Sequence, residues 1–214
     1  IIGILLTILL PSLINAKSHA KFAVCKSNQK QIGVAFVAYA SSNNQYLPNG
    51  TLNGGMAKQS SWEIRLGAYL GVDYSASFLA SNGEVAPIDN PVLLCPGDES
   101  DLPSTGFARS YQVNGYGLWY NKNSEYGAFG SPQSRILPQI KSNTVILVES
   151  HFETDHMHQG CSWFSAMANE DNFDQMYSYH LKSKYNFLYE DGRVATHKKN
   201  DLMLNNKELL MAIE

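Results

Sequence analysis

The sequence predicts an α+β fold: a long N-terminal α-helix packed by its second half on a small antiparallel β-sheet with loop insertions. A charge-free apolar run from Ile1 to Ala16 passes without interruption into an amphipathic pattern, and β-branched and aromatic segments follow it. Hydrophobic residues make up 44% of the 214 residues, which is enough for one domain core. We therefore expect a protruding hydrophobic helix over residues 1–20 and a globular domain over residues 21–214, which includes the second half of the helix.

The helix is predicted to extend from Ile1 to about Ser42, with two halves of different character. Past the apolar run, apolar side chains recur at spacings of three, four and seven and so share one helix face: Phe22, Cys25, Ile32, Phe36 and Tyr39. The first half is apolar on all sides, and its length is just short of the roughly 18–20 residues that span a bilayer. We expect lipid or neighbouring helices around the first half and the domain against the second. Pro11 should kink or locally melt the helix because it lacks a backbone donor.

Shorter elements are predicted for the rest of the chain. Residues 61–71 have a helical pattern that Gly71 can end. Three strands are expected from apolar and β-branched runs: residues 92–94 before Cys95, residues 109–120 with an Asn-Gly turn inside, and residues 144–150.

The last predicted element is a hairpin between Tyr185 and His197. Asp191-Gly192 suits a two-residue type I′ turn, in which both residues need a positive φ. Aromatic residues alternate along the first strand of the hairpin, so we expect this face to cover the core. The turn explains Asp191 and Gly192 without a catalytic or metal-binding role.

Composition and motifs exclude several classes of function. The net charge of −3 argues against a nucleic-acid partner, since proteins that coat nucleic acids usually carry a basic field. The sequence contains no GxSxG motif, no Walker-type loop and no glycine-rich dinucleotide fingerprint. We therefore predict no catalytic residues and expect that the protein is not an enzyme.

Three cysteines occur, and their wide spacing fits neither a zinc ribbon nor a CxxC redox motif. Cys25 and Cys95 are the best candidates for a structural disulfide, because Cys25 lies on the apolar helix stripe and Cys95 ends a segment that can pack there. Such a bond closes a loop of about 70 residues, for which chain entropy gives roughly 4 kcal/mol. Two buried free thiols are the alternative. Cys161 would then be buried or available for an intermolecular contact.

Metal binding is considered at three polar clusters. One could hold a transition metal through imidazole and carboxylate groups: His151, Asp155, His156 and His158. Two others could hold calcium, although neither has EF-hand spacing: Asp98, Glu99 and Asp101, and Glu170, Asp171 and Asp174. Because solvated polar loops explain all three, we expect no cofactor, with calcium or a transition metal as the alternative.

The N-terminal segment IIGILLTILLP, followed by small residues, Lys17 and a long amphipathic helix, resembles the N-terminus of type IV pilins and type II secretion pseudopilins. The match implies that the processing site and the acidic residue of that motif, the prepilin cleavage and methylation motif, precede Ile1. The residues that match the filament-core and membrane helix of these proteins are Ile1, Ile2, Leu5, Leu6, Leu9, Leu10 and Pro11.

The chain is more specifically similar to pilin-like proteins of Planctomycetes and Lentisphaerae. Their helix carries a Cys-x-x-Asn-x-x-Gln-Ile-Gly pattern, which matches Cys25, Asn28, Gln31, Ile32 and Gly33. Further matches are LLCPGD at 93–98, SYQVNGY at 110–116 and a histidine before the closing FLYEDGRV. That family has nine residues between the histidine and Asp-Gly, whereas ten separate His180 from Asp191 here.

The resemblance implies a structural subunit of a pilus-like or pseudopilus-like filament on the cell surface. Its expected partners are further copies of itself in a helical filament, the inner membrane before assembly, and the pilus or secretion assembly machinery. An alternative is a membrane-anchored or minor-subunit binding module that recognises glycan, protein or metal through the loop 151–180.

Overall fold

The computed structural model describes residues 2–48, 62–72, 90–98, 110–115, 128–129, 135–149, 163–165, 180 and 184–198. A long helix, α1, extends over Ile2–Ser42, and a short helix, α2, extends over Trp62–Leu66 and continues as a 3₁₀ turn over Gly67–Leu70. The strands are β1 (Tyr111–Gly115), β2 (Val145–Glu149), β3 (Trp163–Ser165), β4 (Lys184–Tyr189) and β5 (Val194–Lys198). The predicted α+β class is therefore confirmed.

The five strands form one sheet in the order β3-β1-β2-β4-β5. The pairs β1–β2, β2–β4 and β4–β5 are antiparallel, as predicted, while β3 lies parallel to β1 at the edge. All five residues of β2 are buried. Its apolar sequence VILV suits this position, because a strand covered on both faces needs apolar side chains in both directions.

The second half of α1 packs on the domain through the predicted stripe. Cys25, Ile32, Phe36 and Tyr39 are buried, and Phe22 is half-buried against the His180 ring. The spacing of these residues therefore correctly predicted which face of α1 packs against the domain.

Gly33 allows α1 to lie close to β4. A Cβ atom at Gly33 would be 3.0 Å from Cδ1 of Leu188, so a larger residue would push the helix and strand apart. One turn earlier, Gln29 Nε2 donates a hydrogen bond to the carbonyl oxygen of Asn186 at 3.0 Å. The face of β4 that meets the helix is therefore the one that carries Asn186 and Leu188.

The first half of α1 exposes its apolar side chains. Seven of them are 50–77% exposed: Ile2, Leu6, Ile8, Leu9, Leu10, Leu13 and Ile14. The helix continues through Pro11, so the local melting that we predicted as one outcome does not occur. The missing proline donor removes only one hydrogen bond of the helical ladder. Among the residues that the structure describes, no helix is both long and apolar enough to cross a membrane.

Two of the predicted local structures are wrong. Residues 92–94 form turns instead of a strand, because Asn90 Oδ1 accepts a hydrogen bond from Val92 N and the Asn90 carbonyl accepts one from Leu93 N. Asn114 and Gly115 are strand residues instead of a turn. They pair with the parallel strand β3, and Asn114 Nδ2 donates to the carbonyl oxygen of Val145 at 2.8 Å.

The C-terminal hairpin is confirmed, but its turn differs from the prediction. Only Gly192 has a positive φ, of 79°, among the four residues between the strands. Gly192 N donates to the Tyr189 carbonyl, and Tyr189 N donates to the Arg193 carbonyl, both at 2.9 Å. Because Tyr189 pairs with Arg193, the loop itself has three residues, 190–192. It consists of a type I turn that ends in a glycine in the left-handed region.

The aromatic face of β4 is buried, as we expected of a face that covers the core. Tyr185, Phe187 and Tyr189 are buried, but they lie on the face opposite to Leu188, which contacts the helix. The rings of Phe187 and Tyr189 pack against His197 of β5. Tyr189 Oη and His197 Nε2 are 2.8 Å apart.

Candidate functional site

Four side chains that can bind a metal meet where the second half of α1 contacts the sheet. Cys25 comes from α1, Cys95 from the turn segment 90–98, Glu149 from the end of β2, and His180 from a position just before β4. One ligand atom from each residue lies within 4.8 Å of the others, and all four residues are buried. We call these four residues the ligand cluster.

The position of Cys95 depends on the turn segment and on α1. Asn28 of α1 donates from Nδ2 to the carbonyl oxygens of Pro91 and Leu94, at 3.1 and 2.9 Å. Cys95 N donates to Ser110 Oγ at 2.9 Å. Since Asn28 lies one helical turn after Cys25, the same helix face holds one sulfur and fixes the segment that carries the other.

The contacts within the ligand cluster are close. Cys25 Sγ donates to Glu149 Oε2 at 2.6 Å, and Cys95 Sγ lies 2.9 Å from His180 Nε2. His180 Nε2 and Glu149 Oε2 are 3.8 Å apart. The same imidazole nitrogen therefore faces both the second sulfur and the carboxylate.

Polar groups surround the ligand cluster. Tyr111 Oη lies 3.1 Å from Cys25 Sγ, and Gly97 N donates to Cys95 Sγ at 3.3 Å. Glu149 Oε1 accepts a hydrogen bond from Asn186 N at 2.8 Å. Each of the two sulfurs and the carboxylate thus has a polar partner from outside the ligand cluster.

Burial changes the protonation equilibria of these groups. It raises the pKa of Glu149 to about 7 and raises the pKa of Cys25 far above the ordinary thiol value. The neighbouring Cys25 thiol, followed by His180, lowers the pKa of Cys95 to about 6. Burial alone would lower the pKa of His180, but hydrogen bonding to Cys95 and the nearby negative groups raise it. Without a cation, the ligand cluster therefore favours a Cys95 thiolate beside His180.

The predicted Cys25–Cys95 disulfide is not formed in this structure, and both cysteines are free thiols. The fold does bring the two sulfurs together, within 4.8 Å. Each sulfur is directed to a different partner, Cys25 to Glu149 and Cys95 to His180. The alternative of two buried free thiols describes this arrangement.

The other predicted site residues are distributed differently. Asp191 and Gly192 form the hairpin turn, and Asp98 accepts a hydrogen bond from Ser110 Oγ at 2.7 Å. The remaining candidates lie outside the described residues: Glu99, Asp101, His151, Asp155, His156, His158, Cys161, Glu170, Asp171 and Asp174. Of the filament-helix residues, Ile1 lies outside them as well, as does the side chain of Leu5.

Glu149 and His180 were not predicted as site residues. A usable signal exists for Glu149, because it is a charged residue at the end of the apolar run TVILV. A buried carboxylate needs a hydrogen-bond or charge partner, so this position indicates one nearby. For His180 the sequence signal is the resemblance, in which a histidine precedes the closing FLYEDGRV, but only the fold brings it to Cys95.

The geometry separates two chemical roles for the ligand cluster. In a cysteine–histidine nucleophile, the group that orients the imidazole, a carboxylate or an amide, lies on the far ring nitrogen. Here Glu149 Oε2 faces the same Nε2 as Cys95 Sγ. Four buried donor atoms around one point instead suit a closed metal site. No family model, curated protein or solved structure matches the chain.

Proposed function

We propose that the chain is a structural subunit of a type IV pilus-like or type II secretion pseudopilus-like surface filament, and not an enzyme. The observation that carries this proposal is the exposure of seven large apolar side chains on the first half of α1. Soluble monomers rarely expose contiguous apolar surface of this kind, and larger patches mark interaction sites.

These side chains point in many directions around α1. This favours partners that surround the helix on several sides over a single groove that would cover one side. Successive residues of an α-helix point about 100° apart around the helix axis. Viewed along this axis, the widest arc without one of the seven exposed side chains between Ile2 and Ile14 is about 120°. A single flat partner would cover only part of this surface. Neighbouring copies in a helical filament core, or lipid before assembly, can cover all of it.

Relative to exposure in water, the gain from covering this surface is comparable to the entropic cost of association. Burial of a fully exposed Leu or Ile contributes about 1.5–3 kcal/mol, and these seven side chains are 50–77% exposed, so together they contribute on the order of 10 kcal/mol relative to water. This is comparable to the estimated cost of about 4–15 kcal/mol for the loss of translational and rotational freedom. Additional contacts between domains would then decide the filament stability.

The proposed partners are further copies of the chain, the inner membrane before assembly and the assembly machinery, and the proposed location is the cell surface. The resemblance of IIGILLTILLP to pilin N-termini supports these proposals. The alternative, a surface binding module that uses the loop 151–180, concerns a segment that lies mostly outside the described residues.

Replacement of Leu9 by Asp tests the proposal. Leu9 is 59% exposed, so Leu9→Asp should leave the domain folded while it places a charge in the filament core. We expect electron microscopy of the source cells to show no filaments for Leu9→Asp, and normal filaments for the apolar control Leu9→Met. Normal filaments from Leu9→Asp would refute assembly through this helix.

A further inference from the structure

We propose that Cys25, Cys95, Glu149 and His180 form a closed, four-coordinate zinc site that fastens the second half of α1 to the sheet. Two thiolates, one imidazole and one carboxylate are all established zinc ligands. Sulfur and nitrogen donors in a tetrahedral set favour zinc over calcium or magnesium, which take oxygen ligands. The proposal does not depend on filament assembly.

The spacing of the donor atoms suits a tetrahedral ion. With Zn–S near 2.3 Å and Zn–N or Zn–O near 2.0–2.1 Å, ligand atoms of a tetrahedron lie about 3.3–3.8 Å apart. The Cys25–Glu149 and Cys95–His180 separations, 2.6 and 2.9 Å, are shorter than this spacing, and the His180–Glu149 separation of 3.8 Å is at its upper limit. No ligand atom is more than 4.8 Å from another, so small side-chain movements are sufficient.

The surroundings suit a metal-bound thiolate pair. Zinc offsets two of the three negative charges that two thiolates and one carboxylate carry. The remaining charge is stabilised by donors from Gly97 N, Tyr111 Oη and Asn186 N. Lys21 of α1 adds a positive charge near His180. Such outer donors orient the ligands of metal sites and tune their affinity.

A zinc ion engages all four side chains, whereas a disulfide joins only the two cysteines. A Cys25–Cys95 bond would remove the thiol partner of Glu149 and the sulfur partner of His180, and both of these residues are buried. Glu149 would keep the hydrogen bond from Asn186 N, but the loss of the Cys25 donor would raise the cost of burying its carboxylate. Zinc also connects four distant parts of the chain, which is a larger constraint than one bond between two of them.

The first test is metal analysis of the full chain purified from cells without added chelator. We expect one zinc per chain, free thiols at Cys25 and Cys95 after removal of the metal, and a melting temperature that falls on removal and recovers with added zinc. A metal-free protein whose melting temperature does not respond to zinc would refute the proposal. A Cys25–Cys95 disulfide found by non-reducing peptide mapping would also refute it.

Cobalt substitution identifies the ligands. Tetrahedral cobalt with two thiolates gives visible bands and a near-ultraviolet charge-transfer band whose intensity follows the number of thiolates. Cys25→Ser should halve the charge-transfer band, while the matched control Cys161→Ser should leave it unchanged. Equal spectra for Cys25→Ser and the parent chain would show that the metal binds elsewhere.

Glu149→Gln keeps the size of the side chain, so it tests the site in a variant that is expected to fold. We expect it to retain the full charge-transfer band but to weaken cobalt affinity by more than roughly 10-fold, the loss typical of even an outer partner of a metal ligand. An unchanged cobalt affinity would remove Glu149 from the ligand set and refute the proposed four-coordinate site.

Discussion

Replacement of Asn28 by Ala should loosen the contact between α1 and the segment that carries Cys95. Asn28 is buried, and its Nδ2 donates to the carbonyl oxygens of Pro91 and Leu94. Alanine removes both hydrogen bonds. The carbonyl oxygen of Leu94, a half-buried residue, then loses its Asn28 donor. The contact joins residues that are more than 60 positions apart, so no local interaction can replace it.

The expected loss follows from these two contacts. Each hydrogen bond contributes about 1 kcal/mol net to stability, and an acceptor left without a partner raises the cost. Alanine favours the helix over asparagine by roughly 0.5 kcal/mol, which offsets part of the loss. Asn28→Ala should therefore lower the free energy of unfolding by about 1–2 kcal/mol. Asn28→Asp should cost at least as much, because a carboxylate cannot donate to either carbonyl.

Denaturant unfolding of the full chain, followed by tryptophan fluorescence, measures the effect. Gln31→Ala is the matched control, since Gln31 is exposed on the same helix and its amide reaches only to the Ser27 carbonyl, at 3.5 Å. We expect the control to change stability by less than about 0.5 kcal/mol. Equal values for Asn28→Ala and Gln31→Ala would refute the role assigned to Asn28.

Three further substitutions test the helix–sheet contact and the hairpin. Gly33→Val should lower the free energy of unfolding by about 1–3 kcal/mol, because the valine side chain would overlap Leu188. Denaturant unfolding equal to that of the parent chain would contradict the close approach of α1 to β4 at this position. Gly192→Val should cost about 1–3 kcal/mol, because a β-branched residue is strained at a φ of 79°. A melting temperature equal to that of the parent chain would argue against the left-handed turn. Asp191→Asn should change stability by less than about 1 kcal/mol, since its Oδ1 still accepts from Arg193 N and the lost ion pair is exposed. A larger fall in melting temperature would indicate a further role for the carboxylate.

Local and periodic features of the structure follow directly from the sequence. The length of α1, its buried stripe, the central strand β2 and the position of the C-terminal hairpin were all predicted. Each depends on spacing or composition within one segment, which fixes how that segment meets the core. Likewise, Gly71 ends the 3₁₀ turn in the left-handed region, with φ of 74°, as its lack of a side chain allows.

Turns that depend on hydrogen bonds with distant residues were predicted poorly. The segment 92–94 has a strand-like composition, yet Asn90 and Asn28 hold it in turns. Asn114-Gly115 has turn-like composition, yet pairing with β3 extends it. In the first case local turn bonds to Asn90 act together with the contact from Asn28, and in the second strand pairing overrides the local preference.

The sequence by itself determined that a helix with an apolar first half joins an α+β domain, and that Cys25 faces this domain. Only the tertiary structure placed Glu149 and His180 beside the two cysteines. The physical reason is that helix and strand periodicity is a property of neighbouring residues, whereas a closed ligand set is a property of distance in space. The ligand cluster forms because α1 lies across the sheet and close to β4. Gly33 and Leu188 set the separation between the helix and this strand.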